Sequence, residues 1–196
     1  MIEFERSYNL ILEYEGNYSD DPIDKGGETY KGIARRYSKT WAGWMMIDSM
    51  KSDKHFPANL INNDVVTQLV KKHYREKYWD TLLLDEVMSQ GLADELFDIS
   101  VNMGPHRAAK FLQIALNVLN RNERNYFDLV EDGMVGSKTI DALKIYFTKD
   151  KSEYLIKIIN ILQGNHYIEF MKESPEQERF ARGWLNRVIF TKCVKE

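Results

Sequence analysis

The chain is short of the features that would assign it quickly. It has one cysteine, Cys193, so an internal disulfide and a thiolate zinc framework are both excluded. Its four histidines, His55, His73, His106 and His166, are scattered without metal-ligand spacing, and no bound metal or organic cofactor is expected. Lys and Arg total 27 against 30 Asp and Glu, a net charge of −3 that gives no electrostatic case for nucleic acid. No apolar run is long enough to read as a membrane span. No serine sits in a nucleophile-elbow context, and no glycine loop suits a phosphate. The opening MIEFERSYNL does not pair a basic region with an apolar one, so a secretory leader is not expected. What is present is a globular composition, 43% hydrophobic and 29% charged, in 196 residues, enough for one domain or two small ones.

The most informative stretch is EGNYSDDPIDKGGETYKGI, Glu15 to Ile33. Phe4, Tyr8, Ile11 and Leu12 precede it at helical spacing, and Glu15 falls on the same face. Gly16 can end that helix. Asp20, Asp21, Pro22 and Asp24 form a polar turn, and Gly26-Gly27 leads into a return strand containing Thr29 and Tyr30, which ends at Gly32-Ile33. A helix thus delivers one carboxyl and a hairpin holds others opposite it. Glycoside hydrolysis needs such a pair: one carboxyl desolvated and protonated, the other ionised. The same residues also fit an ordinary acidic surface loop; a calcium loop fits less well, because the spacing departs from the EF-hand pattern.

These residues resemble the signature of glycoside hydrolase family 108, N-acetylmuramidases with a Glu-Gly-Gly-Tyr motif. The motif falls on Glu15-Gly16-Asn17-Tyr18, with Asn17 in place of the second glycine. The order Glu15, Asp24, Thr29 is also similar to the Glu-Asp-Thr triad of phage-type lysozymes, with a shorter Asp-to-Thr spacing. The resemblance implies a mainly α, lysozyme-like helical fold with a small β-hairpin at the active site. It implies that Glu15 is the general acid. Asp24 is the second carboxylate, with Asp20 and Asp21 in reserve, and Thr29 orients a water or Asp24. Tyr18, Asp21, Tyr30, Asp98 and Asn102 are the candidates for sugar binding.

Further along, residues 34–60 read as irregular, with Trp41 and Trp44 either packing the core or stacking on sugar; core is favoured for at least one. Asn63-Asp64 starts a helix that should bury Val65, Leu69, Tyr74 and Tyr78-Trp79. Leu92, Leu96, Ile99 and Met103 mark another helix, whose Asp94, Asp98 and Asn102 share one face. That face is either simply solvated or, by resemblance to the family's Phe-Asp-x-x-Val-Asn-x-Gly run, lines a cleft facing Glu15.

After Gly104-Pro105 come Leu112-Gln113 and then Asp132-Gly133, Gly136, Thr139, Ala142 and Leu143, a pattern that resembles a peptidoglycan-binding module. Ser137 and Thr139 are available as helix caps. Residues 152–172 read as a helix burying Tyr154, Leu155, Ile158, Ile159, Leu162 and Tyr167, and Ser174-Pro175 as the start of another. Phe180, Gly183, Trp184, Arg187 and Val188 resemble the family's ending, with Arg187 either contacting substrate or pairing with an acid, the second being favoured.

The expected organisation is 1–104 as the catalytic region and 105–196 as a helical peptidoglycan-binding-like region packed against it as one compact unit. The expected activity is cleavage of the β-1,4 bond between N-acetylmuramic acid and N-acetylglucosamine. A lytic transglycosylase and a non-catalytic wall-binding or secretion-related protein are the alternatives, because relatives carry names implying activation of secretion. The expected partner is the glycan strand of bacterial peptidoglycan, with no nucleic acid and no membrane span. A monomer is expected, made in the cytoplasm and acting at the wall after a holin-type pore, lysis or a secretion partner lets it out.

Overall fold

The computed structural model describes residues 2–12, 16–20 and 27–188. It is mainly α, with one small antiparallel sheet, in keeping with the lysozyme-like class expected. Packing divides the chain into two compact units, Glu3–Trp79 and the chain from Asp80 onward.

In the first unit, α1 (Phe4–Leu12) buries Phe4, Tyr8 and Ile11, the stripe read from the sequence. Phe4 stacks on Tyr8 and meets Trp79 edge-on at 5.2 Å, while Tyr8 meets Tyr74 edge-on at 5.7 Å. The sheet has three strands, not two: β1 (Tyr18–Ser19), β2 (Thr29–Tyr30) and β3 (Ile33–Ala34), in that order. Tyr18 pairs with Tyr30, and Tyr30 with Ile33. The return strand therefore does not end at Gly32-Ile33. Lys31 and Gly32, at φ 48° and 74°, are the two positive-φ residues of a tight hairpin loop, and the chain comes back as β3.

The segment read as irregular contains α2 (Gly43–Met50), which buries Trp44 and Ile47 and leaves Trp41 half-buried. Then α3 (Asp64–Tyr74) starts where expected, with the Asn63 side chain accepting from Val66 N at 3.0 Å. Its buried stripe is Val66, Val70 and Tyr74; Val65 is exposed. One wider π turn, Arg75–Trp79, carries Trp79 into the core.

In the second unit, α4 (Gln90–Met103), α5 (Pro105–Leu119) and α7 (Ser152–Glu173) pack against one another. Leu92, Leu96, Phe97 and Ile99 from α4 meet Ala108, Leu112, Ala115 and Leu116 from α5 and Leu155 and Ile159 from α7 in the core. Gly104, at φ 88°, turns α4 directly into α5, with Pro105 at the first position of the new helix. The expected region boundary at 104/105 thus falls inside this unit, and α4 shares its core with the helices that follow.

α6 (Ser137–Phe147) is not capped by Ser137 or Thr139; Gly136 is its N-cap, no side chain caps it, and Thr139 is buried instead. α7 keeps Leu155, Ile159 and Tyr167 inside but exposes Tyr154, and it buries Asn160 and Gln163. A 3₁₀ turn over Pro175–Phe180 leads into α8 (Ala181–Leu185), and Ser174 precedes the turn without a side-chain cap. No helix among the described residues is long and apolar enough to cross a membrane.

Candidate active site and its supporting clusters

Glu15, Asp21 and Asp24 lie outside the described residues. What the first unit shows is how the chain on either side of them is held. On one side α1 ends at Leu12, and on the other Asn17 O accepts from Lys31 N at 3.3 Å. The Tyr18 ring meets Phe56 edge-on at 4.7 Å, and its hydroxyl donates to Glu28 Oε1 at 3.0 Å. Burial, reinforced by Glu28, pushes the Tyr18 hydroxyl up to about 12, so it remains a donor at neutral pH.

Glu28 is the centre of this arrangement. Lys51 Nζ lies 2.8 Å from Glu28 Oε1, and Arg35 Nε lies 2.5 Å from Glu28 Oε2. The two cations also share Asp48, which Arg35 grips through both terminal nitrogens at 2.9 and 2.6 Å. Arg35 holds the Asp48 carboxyl below its usual range, and Glu28 raises Lys51. The Arg35 guanidinium also lies 4.4 Å over the Trp44 ring. Two acids and two bases therefore tie the β2 end of the acidic loop to α2. Neither periodicity nor spacing marks Glu28; its role depends on what folds against it.

Thr29 is half-buried, and its hydroxyl donates to Gly27 O at 3.1 Å, which leaves the oxygen able to accept. Tyr30 is in the core at 2% exposure, and its hydroxyl donates to Leu60 O at 3.2 Å.

The second unit holds Asp98 and Asn102. The Asn102 amide donates to Asp98 O at 2.8 Å and to Asp98 Oδ1 at 3.2 Å. Arg187 Nη1 reaches Asp98 Oδ1 at 2.6 Å, the acid partner expected for that arginine. Burial pushes the Asp98 carboxyl up, against the pull of Arg187. One turn earlier on α4, Glu95 is raised to about 7, chiefly by burial, with Asp98 and Asp94 adding to it and Asn160 opposing. The Gln163 amide is fully buried near Asp98 and Tyr167, and burial pushes the Tyr167 hydroxyl up to about 12. Glu95, Asn160 and Gln163 are not among the residues the sequence singles out. The available signal is the polar series Asn160, Gln163, Tyr167, which sits at helical spacing among the apolar residues of that helix.

A third cluster gives the Leu-Gln and Asp-Gly motif its physical meaning. The Gln113 amide donates to Asp132 Oδ1 at 2.8 Å and to Met134 O at 3.0 Å, and its oxygen accepts from Gly133 N at 2.9 Å. Gly133 has φ 70°, and a Cβ there would stand 2.6 Å from the His106 ring. Only glycine meets both conditions. Among the described residues no group of three or more His, Cys, Asp and Glu could hold a metal.

Residues 8–104 match the family model described as glycosyl hydrolase 108, and residues 107–189 match one described as a predicted peptidoglycan domain. No curated protein matches the chain. A solved structure titled "Structure of Brucella abortus SagA" shares the fold with a TM-score of 0.60, at 24% identity over 94% of this chain and 88% of that one.

Proposed function

Since residues 8–104 make the chain a member of the glycosyl hydrolase 108 family and residues 107–189 add a predicted peptidoglycan domain, we propose that this peptidoglycan hydrolase is an N-acetylmuramidase with Glu15 as general acid. The observation that carries the reading is the direct succession of the two domains in one chain: a glycosidase region beside a wall-directed one. The scaffold around the acidic loop supports it. Its two sides are held by Tyr18–Glu28 and by the Glu28–Arg35–Lys51–Asp48 cluster, as a site that positions carboxyls within a fraction of an ångström requires.

In the proposed reaction Glu15 gives its proton to the glycosidic oxygen as the bond from muramic C1 to that oxygen breaks. Water adds its oxygen to C1, and its proton passes to a carboxylate, with Asp24 the first candidate and Asp20 and Asp21 next. Thr29, its donor already committed to Gly27 O, accepts from that water or steadies Asp24 through it. Tyr18 offers a hydroxyl on the same hairpin. Asp98 and Asn102 are proposed to meet the N-acetyl and hydroxyl groups of the sugar. The enzyme acts at the cell wall.

The test is clearing of purified peptidoglycan by wild type, Glu15→Gln and Asp24→Asn, followed by mass analysis of the fragments. Glu15→Gln should lose roughly 10²–10⁴-fold in rate. Wild-type products should carry reducing muramic ends. Anhydro-muramic ends would assign a transglycosylase instead, and an unchanged rate in Glu15→Gln would remove that residue from the mechanism.

A further inference from the structure

The segment between α5 and α6 combines two properties that rarely occur together: a backbone tied down along its length and large apolar side chains turned to solvent. The ties come from one face of α5. Asn120 holds Asp128 Oδ1 at 2.6 Å, and Asn117 takes Leu129 N at 2.7 Å and gives to Leu129 O at 3.0 Å. Gln113 holds Asp132, Gly133 and Met134. At 1.5 Å of rise per residue the three anchors span about 10 Å of helix. Beside each anchor point stands one exposed side chain: Phe127 at 81%, Val130 at 77% and Met134 at 67%. A loop whose order is secured by side-chain amides does not need these residues apolar for its own stability, and leaving them in water is unfavourable.

We infer that Phe127, Val130 and Met134 form the glycan-strand docking face of the peptidoglycan domain. This rests on the peptidoglycan reading above and says which surface serves it. The match to the predicted peptidoglycan domain, residues 107–189, spans the whole segment and identifies the class of occupant. The chemistry selects the sugar backbone over the stem peptide. An exposed phenyl ring offers a flat apolar face to the C–H face of a pyranose, and Val130 and Met134 suit N-acetyl and lactyl methyl groups. Around them, residues 126–134 carry Asp128, Glu131 and Asp132 and no lysine or arginine. Carboxylates accept from sugar hydroxyls and amides but repel the free carboxylates of a stem peptide. The face includes none of the proposed catalytic residues, so it raises the local concentration of substrate rather than taking part in bond cleavage.

The test measures co-sedimentation of the full chain with purified sacculi. A Glu15→Gln background keeps the substrate intact. The triple change Phe127→Ser, Val130→Ser, Met134→Ser should weaken binding roughly 10- to 100-fold, the loss expected when one or two apolar side chains no longer bury. Ile161→Ser, an exposed apolar residue on α7, should bind as the parent does. With Glu15 restored, the triple variant should clear sacculi more slowly yet cleave short soluble glycan fragments at the parent rate. Glycan strands stripped of stem peptide should compete for binding. An unchanged melting temperature confirms that the variant is folded; equal binding by a folded variant overturns the inference. So does competition by free stem peptide alone, or loss of a self-associated dimer with sacculus binding intact. If the parent itself does not bind sacculi, the peptidoglycan reading fails along with this one, whereas binding by parent and variant alike removes only this face.

Discussion

Replacing Glu95 by glutamine should stabilise the protein above neutral pH and leave it unchanged in acid. Burial raises the Glu95 carboxyl from 4.5 to about 7. Between those values the folded chain holds a proton that the unfolded chain has lost, so unfolding stability falls as pH rises, by about 1.4 kcal/mol per pH unit. Across the window the loss sums to about 3 kcal/mol. Stability from this group is fully present below pH 4.5, declines through neutrality and is gone once the folded carboxyl ionises. The glutamine side chain of the Glu95→Gln variant keeps the size and the hydrogen-bonding capacity toward Asn160 and has no proton to lose. Urea unfolding of both proteins at half-unit steps from about pH 4.5 to about pH 8 gives the difference directly, and effects from titrating groups that do not interact with Glu95 cancel in it. The variant-minus-parent curve should start near zero and rise by about 3 kcal/mol. A flat difference curve would mean that Glu95 is solvated or paired, and the account of the α4–α7 polar cluster would be wrong.

Other consequences can be checked more briefly. Gln113→Leu should cost roughly 1–3 kcal/mol, because the buried Gly133 N–H loses its acceptor, and hydrogen exchange at Gly133 should accelerate well before global unfolding. Asp98→Asn and Arg187→Ala should be coupled by about 1–2 kcal/mol in a double-mutant cycle, less than for a fully buried pair because each side chain keeps about a quarter of its exposure; additive losses would deny the pair any role. The His73 imidazole should titrate near 4 by NMR, since burial, with Lys77 assisting, lowers it from 6.5. Its stabilising effect is present above pH 6.5 and lost as pH falls through about 4. Glu28→Ala should lower wall clearing while sparing sacculus binding, because it releases Tyr18, Arg35 and Lys51 on the loop's flank; a fall in binding equal to the fall in clearing would contradict that division.

The helices are legible in the sequence wherever one face alone is apolar. α1 and α4 bury most of the stripe expected of them, Phe4, Tyr8 and Ile11 in one and Leu92, Leu96 and Ile99 in the other. α3 is legible too, but its stripe reads one residue early: Val65-Val66 and Leu69-Val70 supply apolar side chains on two adjacent faces, and only packing selects Val66 and Val70. α2 escapes the sequence because Gly43-Trp44-Met45-Met46 carries neither a cap nor a clean period; a helix of 8 residues at that site depends on Trp44 and Ile47 being buried. α7 is apolar around most of its circumference, so periodicity cannot tell that Tyr154 faces out while the polar Asn160 and Gln163 face in.

The site divides in the same way. The hairpin and its Tyr18 and Thr29 are readable from turn chemistry, and the partners of Asp98 are half readable, since Arg187 is expected to meet an acid. Glu28 and Glu95 are not, because a carboxylate becomes a hub or a proton reservoir through the groups that fold against it, and those lie far away in the chain.

The turn at Gly104 also bears on how this protein can be divided or recombined. A fragment trimmed to the hydrolase match, ending at residue 104, would contain α4 stripped of α5 and α7, with Leu92, Leu96, Phe97 and Ile99 newly wetted. Such a piece should clump on expression, and a graft that swaps wall-recognition parts at that junction should do no better. Compact packing divides the chain instead between Trp79 and Asp80, so an exchange that keeps α4 with α5 and α7 should leave their shared core intact.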